Sequence, residues 1–166
     1  MKENTNKVRQ RKYRPDNLIA MFRVAAELRN KMIDAGFTDN GGPIHSAGRI
    51  MNILGMALNY PDLTHINNLR GSQRAIFSIE ALELHRSGHK VLIEHVSPLR
   101  DLTRKAIEKI DQQVSDEQFK RFVRRHFKLV LLSPTETQRL NRLNRSKMHP
   151  HRLKHAGIEL AILIVE

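Results

Sequence analysis

The stretch KVLIEHVSP at residues 90–98 marks the point where the pattern of the chain changes. Before Gly88 the apolar residues recur at helical spacing. Residues 90–96 are instead rich in β-branched and apolar side chains and follow a turn signal, which predicts a strand. Ser97 and Pro98 then have the pattern of a helix N-cap followed by proline at the first helical position. The stretch therefore predicts a strand that leads directly into a helix.

A second stretch further along repeats this pattern. The run LVLL at residues 129–132 is short and apolar and predicts another strand. Ser133 follows, with Glu136 three residues later, which is the spacing of a capping box at the start of a helix. We therefore expect a small ββα-like substructure within this half of the chain.

The remaining apolar residues have helical periodicity, so the fold class we predict is mainly α with a small β element (α+β). The predicted helices cover residues 15–36, 46–57, 72–88, 99–110, 115–127 and 134–143. Residues 146–155 are predicted to be a polar connector, and residues 158–165 a final strand. Residues 1–14 are polar, basic and without periodicity, so we expect a flexible arm followed by one globular domain over residues 15–166.

The composition excludes several classes of protein. Of the 166 residues 40% are hydrophobic, which is enough to bury a core. The absence of cysteine excludes disulfides, thiolate zinc sites and thiol catalysis. The sequence contains no run of about 18 apolar residues, so we expect no membrane span. These features favour a cytoplasmic protein.

Positive charge is concentrated in two parts of the chain. The chain carries 29 Lys and Arg against 17 Asp and Glu, a formal net charge of +12. Residues 2–14 contribute six basic and one acidic side chain, and residues 120–155 contribute eleven basic and one acidic. A surface with such a charge gains affinity for a phosphate backbone by releasing its counterions. We therefore predict a nucleic-acid partner and no membrane partner.

The predicted phosphate contacts lie on two helices and the connector that follows them. Glutamates at helical i,i+4 spacing, which would mark ordinary solvated faces, are nearly absent here. The aromatic residues fall mostly on predicted core faces, so duplex DNA or structured RNA is favoured over single strands, and of these two we predict duplex DNA. The predicted contacts are Lys120, Arg121, Arg124, Arg125, Lys128, Arg139, Arg142, Arg145, Lys147, Arg152 and Lys154.

The sequence Glu94-His95-Val96-Ser97-Pro98 resembles the opening of the HNH (His-Me finger) nuclease motif. That motif continues with a second strand and a helix ending in Asn or His, two residues and then Lys. Here the second strand leads to a helix ending Asn144-Arg145-Ser146-Lys147. The resemblance covers about residues 90–148.

The resemblance implies a phosphodiester hydrolase that uses Mg²⁺ or another divalent metal. Glu94 would bind the metal, His95 would act as general base, Asn144 would be a second metal ligand and Lys147 would contact phosphate. The alternative is that Glu94 and His95, which point to opposite faces of a strand, have only structural roles. Asn144 would then be an ordinary residue at the end of a helix.

A histidine cluster, His149 and His151 with His155 four residues later, is the other candidate site. Imidazoles suit zinc, nickel or copper, so the cluster could bind a metal, and His149 could supply a third ligand to the nuclease site. The alternative is a loop whose histidines contact phosphate.

Three functions are consistent with these observations. The chain could be a metal-dependent nuclease, a non-catalytic DNA-binding regulator or architectural protein, or an RNA-binding partner in a ribonucleoprotein. A homodimer formed through the N-terminal helices is also compatible with the sequence.

Overall fold

The computed structural model describes residues 13–162, in which seven α-helices and one 3-10 helix surround a two-stranded sheet. The helices are α1 (Pro15–Asp34), α2 (Gly42–Asn59), α3 (Ile79–Arg86), α4 (Leu99–Asp111), α5 (Asp116–His126), α6 (Pro134–Asn144) and α7 (Arg152–His155), and the 3-10 helix is Ile66–Gly71. The strands are β1 (Leu92–His95) and β2 (Leu129–Leu132). The prediction of one mainly helical domain with a small β element is confirmed.

The sheet is covered on both faces, which explains why β2 is apolar at every position. Leu129 and Leu131 belong to the main core, which is built from α1, α2, α4 and α5. Val130 and Leu132 instead pack with Leu140 of α6 and with residues around α7. The four residues of β2 are all buried, so this short strand lies at the centre of the molecule.

Both predicted strands are present and pair antiparallel, with Glu94 opposite Val130 and His95 opposite Leu129. Helix α4 follows β1 as expected, but its N-cap is Pro98 and no side chain caps it, so the predicted cap at Ser97 is wrong. The two later helix starts are fixed by serine side chains. Ser115 begins α5 and Ser133 begins α6, each in a complete capping box. Local sequence therefore determines these boundaries.

The predicted third helix was too long at its N-terminus. Residues 76–78 are extended beside β2, where the Leu131 amide donates to Ile76 O (2.8 Å) and the Ser78 amide donates to Leu131 O (3.0 Å). The Ser78 hydroxyl accepts from the Ala81 amide (3.0 Å), so the helix begins only at Ile79. The apolar pattern of this segment belongs to the sheet and was misread as a helix face.

Three other boundaries differ from the prediction. Helix α2 begins at Gly42, with proline in its first turn, and not at Ser46. The connector contains the short helix α7. Of the final predicted strand, only Leu160 forms a bridge, to Ser78, and residues 163–166 lie outside the described part of the chain. Residues 1–12 of the predicted arm also lie outside it.

Candidate nucleic-acid interface

The strands and α6 form a ββα unit in the order expected from the sequence. Strand β1 pairs with β2, β2 leads into α6 through Ser133, and α6 packs against both strands. The end of β1 and the end of α6 therefore lie on the same side of this unit. The residues predicted to form the nuclease site lie at these two ends.

His95 is held in a mostly apolar environment beneath α2. Its Nε2 lies 3.1 Å from Asn52 Oδ1, and its ring meets the ring of Phe127 edge-on with centroids 5.3 Å apart. Burial, together with the nearby charge of Arg152, lowers the pKa of His95 to about 4. The imidazole is therefore neutral at neutral pH. Asn52, its hydrogen-bond partner, was not singled out in the sequence because it lies 43 residues away.

Glu94 points to the other face of β1, as strand alternation requires. Burial raises the pKa of its carboxyl, and the positive charge of Arg152 partly opposes that shift. Glu94 and His95 are therefore neighbours in sequence, but their side chains lie in different environments on opposite faces of β1.

Arg152 joins the end of β1 to the end of α6. Its Nε donates to Asn144 O (2.8 Å), and its Nη1 donates to His95 O (2.9 Å) and Val96 O (3.2 Å). The side chain is 3% exposed, and burial lowers the pKa of its guanidinium, against the effect of Glu94. The structure places this predicted phosphate contact in the interior, where phosphate cannot reach it.

The connector after α6 is fixed by two further hydrogen bonds. Asn144 Oδ1 accepts from the Lys147 amide (2.9 Å), so this predicted metal ligand already has a structural partner. Asp101, buried in the first turn of α4, accepts from the Met148 amide (2.7 Å). Asp101 was missed in the sequence, since nothing near it along the chain indicates a partner 47 residues away.

The three histidines of the connector do lie together. Ring centroids are 4.7 Å apart for His149 and His155, 5.9 Å for His149 and His151, and 6.0 Å for His151 and His155. His149 Nδ1 accepts from the His151 amide (3.1 Å). Over residues 13–162, however, no three His, Asp or Glu side chains are arranged to hold a metal ion. The predicted metal set Glu94, Asn144 and His149 includes an amide side chain and stays a prediction, and Asn144 would have to release the Lys147 amide to bind a metal through Oδ1.

Three of the eleven predicted phosphate contacts have structural roles instead. Arg152, described above, is the first of them. The second is Lys120, whose side chain is 16% exposed and forms ion pairs with Asp16 and Glu117, both at 2.9 Å. Arg139 Nε donates to Ala156 O (2.6 Å) at the end of α7. These three side chains have partners within the protein, and acids balance the charge of Lys120.

The other eight predicted contacts are exposed, and in the described part of the chain none of them forms an ion pair. We call this set the free cations; it consists of Arg121, Arg124, Arg125, Lys128, Arg142, Arg145, Lys147 and Lys154.

A groove between α4 and α5 collects part of this charge. Its volume is about 700 Å³, and Arg121 and Arg125 of α5 face Lys105 and Lys109 of α4 across it. The two lysines were missed because the sequence intersperses the basic residues of α4 with acids, as in the pair of Lys105 with Glu108 (3.4 Å). Met148, beside Lys147, also contributes to the groove. The groove therefore adjoins the connector.

The same groove contains aromatic surface. Phe122 and His126 of α5 are both half-buried, and their ring centroids lie 4.8 Å apart. Burial lowers the pKa of His126, and the charges of Arg125 and Lys109 lower it further. Most aromatic residues were predicted to lie on core faces; Phe119 of α5 is fully buried, but Phe122 is only half-buried.

A separate apolar feature lies on α1, where Met21, Val24 and Leu28 are at least half exposed at helical spacing. Helix α1 is one of the N-terminal helices through which a homodimer was predicted to form, and the homodimer stays a prediction.

No helix within residues 13–162 combines the length and the apolar character that crossing a membrane requires. Comparison with known proteins shows no family model, no curated protein and no solved structure that matches the chain. The resemblance to HNH nucleases therefore stays a prediction.

Proposed function

We propose that this chain binds nucleic acid through the phosphate backbone. The observation that carries the proposal is the set of eight free cations, which are exposed on α5, just before β2, on α6 and on the connector after α6 and have no ion-pair partner within residues 13–162. Neutralising phosphates with such side chains releases counterions, which is the main source of sequence-independent affinity.

Several acidic side chains form ion pairs with cations other than the free cations, which supports this proposal. Asp39, in the loop before α2, forms ion pairs with Arg29 of α1 and Arg104 of α4. Asp116 of α5 forms an ion pair with Arg23 of α1. An ordinary solvated helix face would alternate the two signs of charge. Within residues 120–155 ion pairs neutralise only Lys120 in the described part of the chain, so most of the positive charge of this segment is left for a polyanion.

Salt dependence of binding tests the proposal. We expect the affinity for a labelled DNA duplex, measured by fluorescence anisotropy, to fall steeply as salt rises. The double variant Arg142→Ala, Arg145→Ala should lower the slope of log K against log salt by about 2, since each phosphate contact contributes about 0.9.

A matched variant controls for net charge. The double variant Lys31→Ala, Arg74→Ala also removes two cations, but these are ion-paired to Glu27 and Asp62 and lie outside the free cations. It should keep a slope close to that of the parent protein. Binding that is independent of salt, or an equal loss of slope in both double variants, would refute phosphate contact by the free cations.

A second candidate function is metal-dependent phosphodiester hydrolysis. The observation in its favour is the ββα unit, in which Arg152 joins the carbonyl oxygens of His95 and Asn144. A divalent metal bound there would stabilise negative charge on the leaving oxygen. The neutral imidazole of His95 could accept a proton from water. Asn144 Oδ1 accepts from the Lys147 amide, so metal binding through this oxygen requires that hydrogen bond to break.

Incubation with supercoiled plasmid and with total RNA tests hydrolysis. The measurement compares Mg²⁺, Mn²⁺ and EDTA, with the parent protein beside His95→Ala. Metal-dependent nicking or degradation that is lost in the variant would support a nuclease. A gel shift without cleavage in any metal would leave a binding protein, either a DNA-binding regulator or an RNA-binding partner. Preference for structured RNA, with a loss of affinity when residues 1–14 are removed, would favour the latter.

A further inference from the structure

We infer that the groove between α4 and α5 receives an unpaired stretch of nucleic acid, with a base stacked on Phe122 and the backbone between the flanking cations. This inference rests on the proposed function and specifies the form of its ligand. Its basis is that aromatic and cationic side chains line the same groove.

The walls of the groove are cationic on both sides. Lys105 and Lys109 are one helical turn apart on α4, and Arg121 and Arg125 are one turn apart on α5. Glu108 is the acid that lies among them, and it is paired with Lys105 at 3.4 Å. A phosphate backbone that follows the groove would thus meet positive charge from both helices.

The rings in the groove provide a surface for a base. Phe122 is partly packed against the core, and its ring lies beside His126 at 4.8 Å between centroids. Every base has a π-face, so stacking on such a ring tolerates any sequence. Duplex DNA was predicted as the ligand because the aromatic rings were expected to lie in the core. Phe122 is an exception, since it is only half-buried.

The accessibility of base faces also favours an unpaired strand. The groove is an open surface depression of about 700 Å³, with Phe122 and His126 in its lining. The bases of a duplex are paired and stacked on one another, so their faces are not available to a protein side chain. An unpaired base is free to stack on Phe122 while its backbone lies between the cations.

Anisotropy with two probes tests the inference: a labelled oligothymidylate and a duplex of the same length. The variant Phe122→Leu keeps an apolar side chain and removes the ring. We expect it to weaken oligothymidylate binding by about fivefold or more, while duplex binding is unchanged. Phe122→Tyr, which keeps the ring, should bind oligothymidylate as the parent protein does.

Two further variants make the result independent of the packing of Phe122. Lys105→Ala, at the exposed wall of the groove, should weaken oligothymidylate binding more than duplex binding. Arg142→Ala, on α6 and not on the groove, should weaken both to the same extent. Unchanged oligothymidylate affinity in both Phe122→Leu and Lys105→Ala would overturn the inference and leave the proposed function intact. Failure of the parent protein to bind either probe at low salt would instead refute the proposed function itself.

Discussion

Replacing Gly55 in α2 by alanine tests the packing that positions His95. A Cβ atom built on Gly55 would lie 2.5 Å from Cδ1 of Phe127 and would overlap two further atoms of that ring. Phe127 is fully buried and packs edge-on against Tyr60 and His95, with centroids 6.5 and 5.3 Å away. The ring therefore cannot move without displacing the candidate base.

The magnitude follows from two opposing effects. Overpacking a core costs about 1–3 kcal/mol, and a clash with an aromatic ring should be near the upper end. Alanine is better than glycine inside a helix by about 1 kcal/mol, so we expect Gly55→Ala to lose about 1–2 kcal/mol in the free energy of unfolding. For a chain of this size each kcal/mol corresponds to a Tm shift of about 2–4 °C.

Gly48 provides the matched control on the same helix. A Cβ there would lie 3.6 Å from Thr103 Oγ1, an ordinary contact, so Gly48→Ala should gain about 0.5–1 kcal/mol. Urea denaturation of both variants beside the parent protein measures the difference. Equal stability of Gly55→Ala and Gly48→Ala would show that the close packing of α2 on Phe127 is not as described.

Two further predictions concern His95 and Arg152. Folding lowers the pKa of His95 from 6.5 to about 4, so the unfolded chain takes up the proton first as the pH falls. The free energy of unfolding should therefore be about 3 kcal/mol larger above pH 6.5 than near pH 4, and the loss should occur between these two values. Urea denaturation across that range should show a smaller loss for His95→Gln than for the parent protein, and parallel curves would contradict this account. Arg152→Lys should cost about 1.5–3 kcal/mol, because a single ammonium cannot reproduce the forked contacts to three carbonyl oxygens; unchanged stability in urea would show that those contacts contribute nothing.

Much of the local structure was predictable because its causes lie within a few residues. Ser115 and Ser133 begin helices through bonds to amides three residues away, and the run at 129–132 reads as a strand from its own side chains. The prediction for residues 76–78 was wrong for the opposite reason. Their partner is Leu131, more than fifty residues away, and the backbone bonds to it outweigh a local pattern that favours a helix.

The sequence by itself determined the amount of charge and its concentration in residues 120–155, since both are properties of composition. It also correctly placed Glu94 and His95 on a strand and Asn144 at the end of a later helix. These statements needed no knowledge of which distant segments meet.

Only the tertiary structure decided which of the cations are free. Arg152 is as basic as Arg142 in the sequence, but folding surrounds it with three carbonyl oxygens, whereas Arg142 remains in solvent. Packing of α5 against α4 likewise brought Lys105 and Lys109 beside Phe122. The physical reason is that availability of a side chain depends on contacts between residues far apart in sequence, and local periodicity carries no information about those contacts.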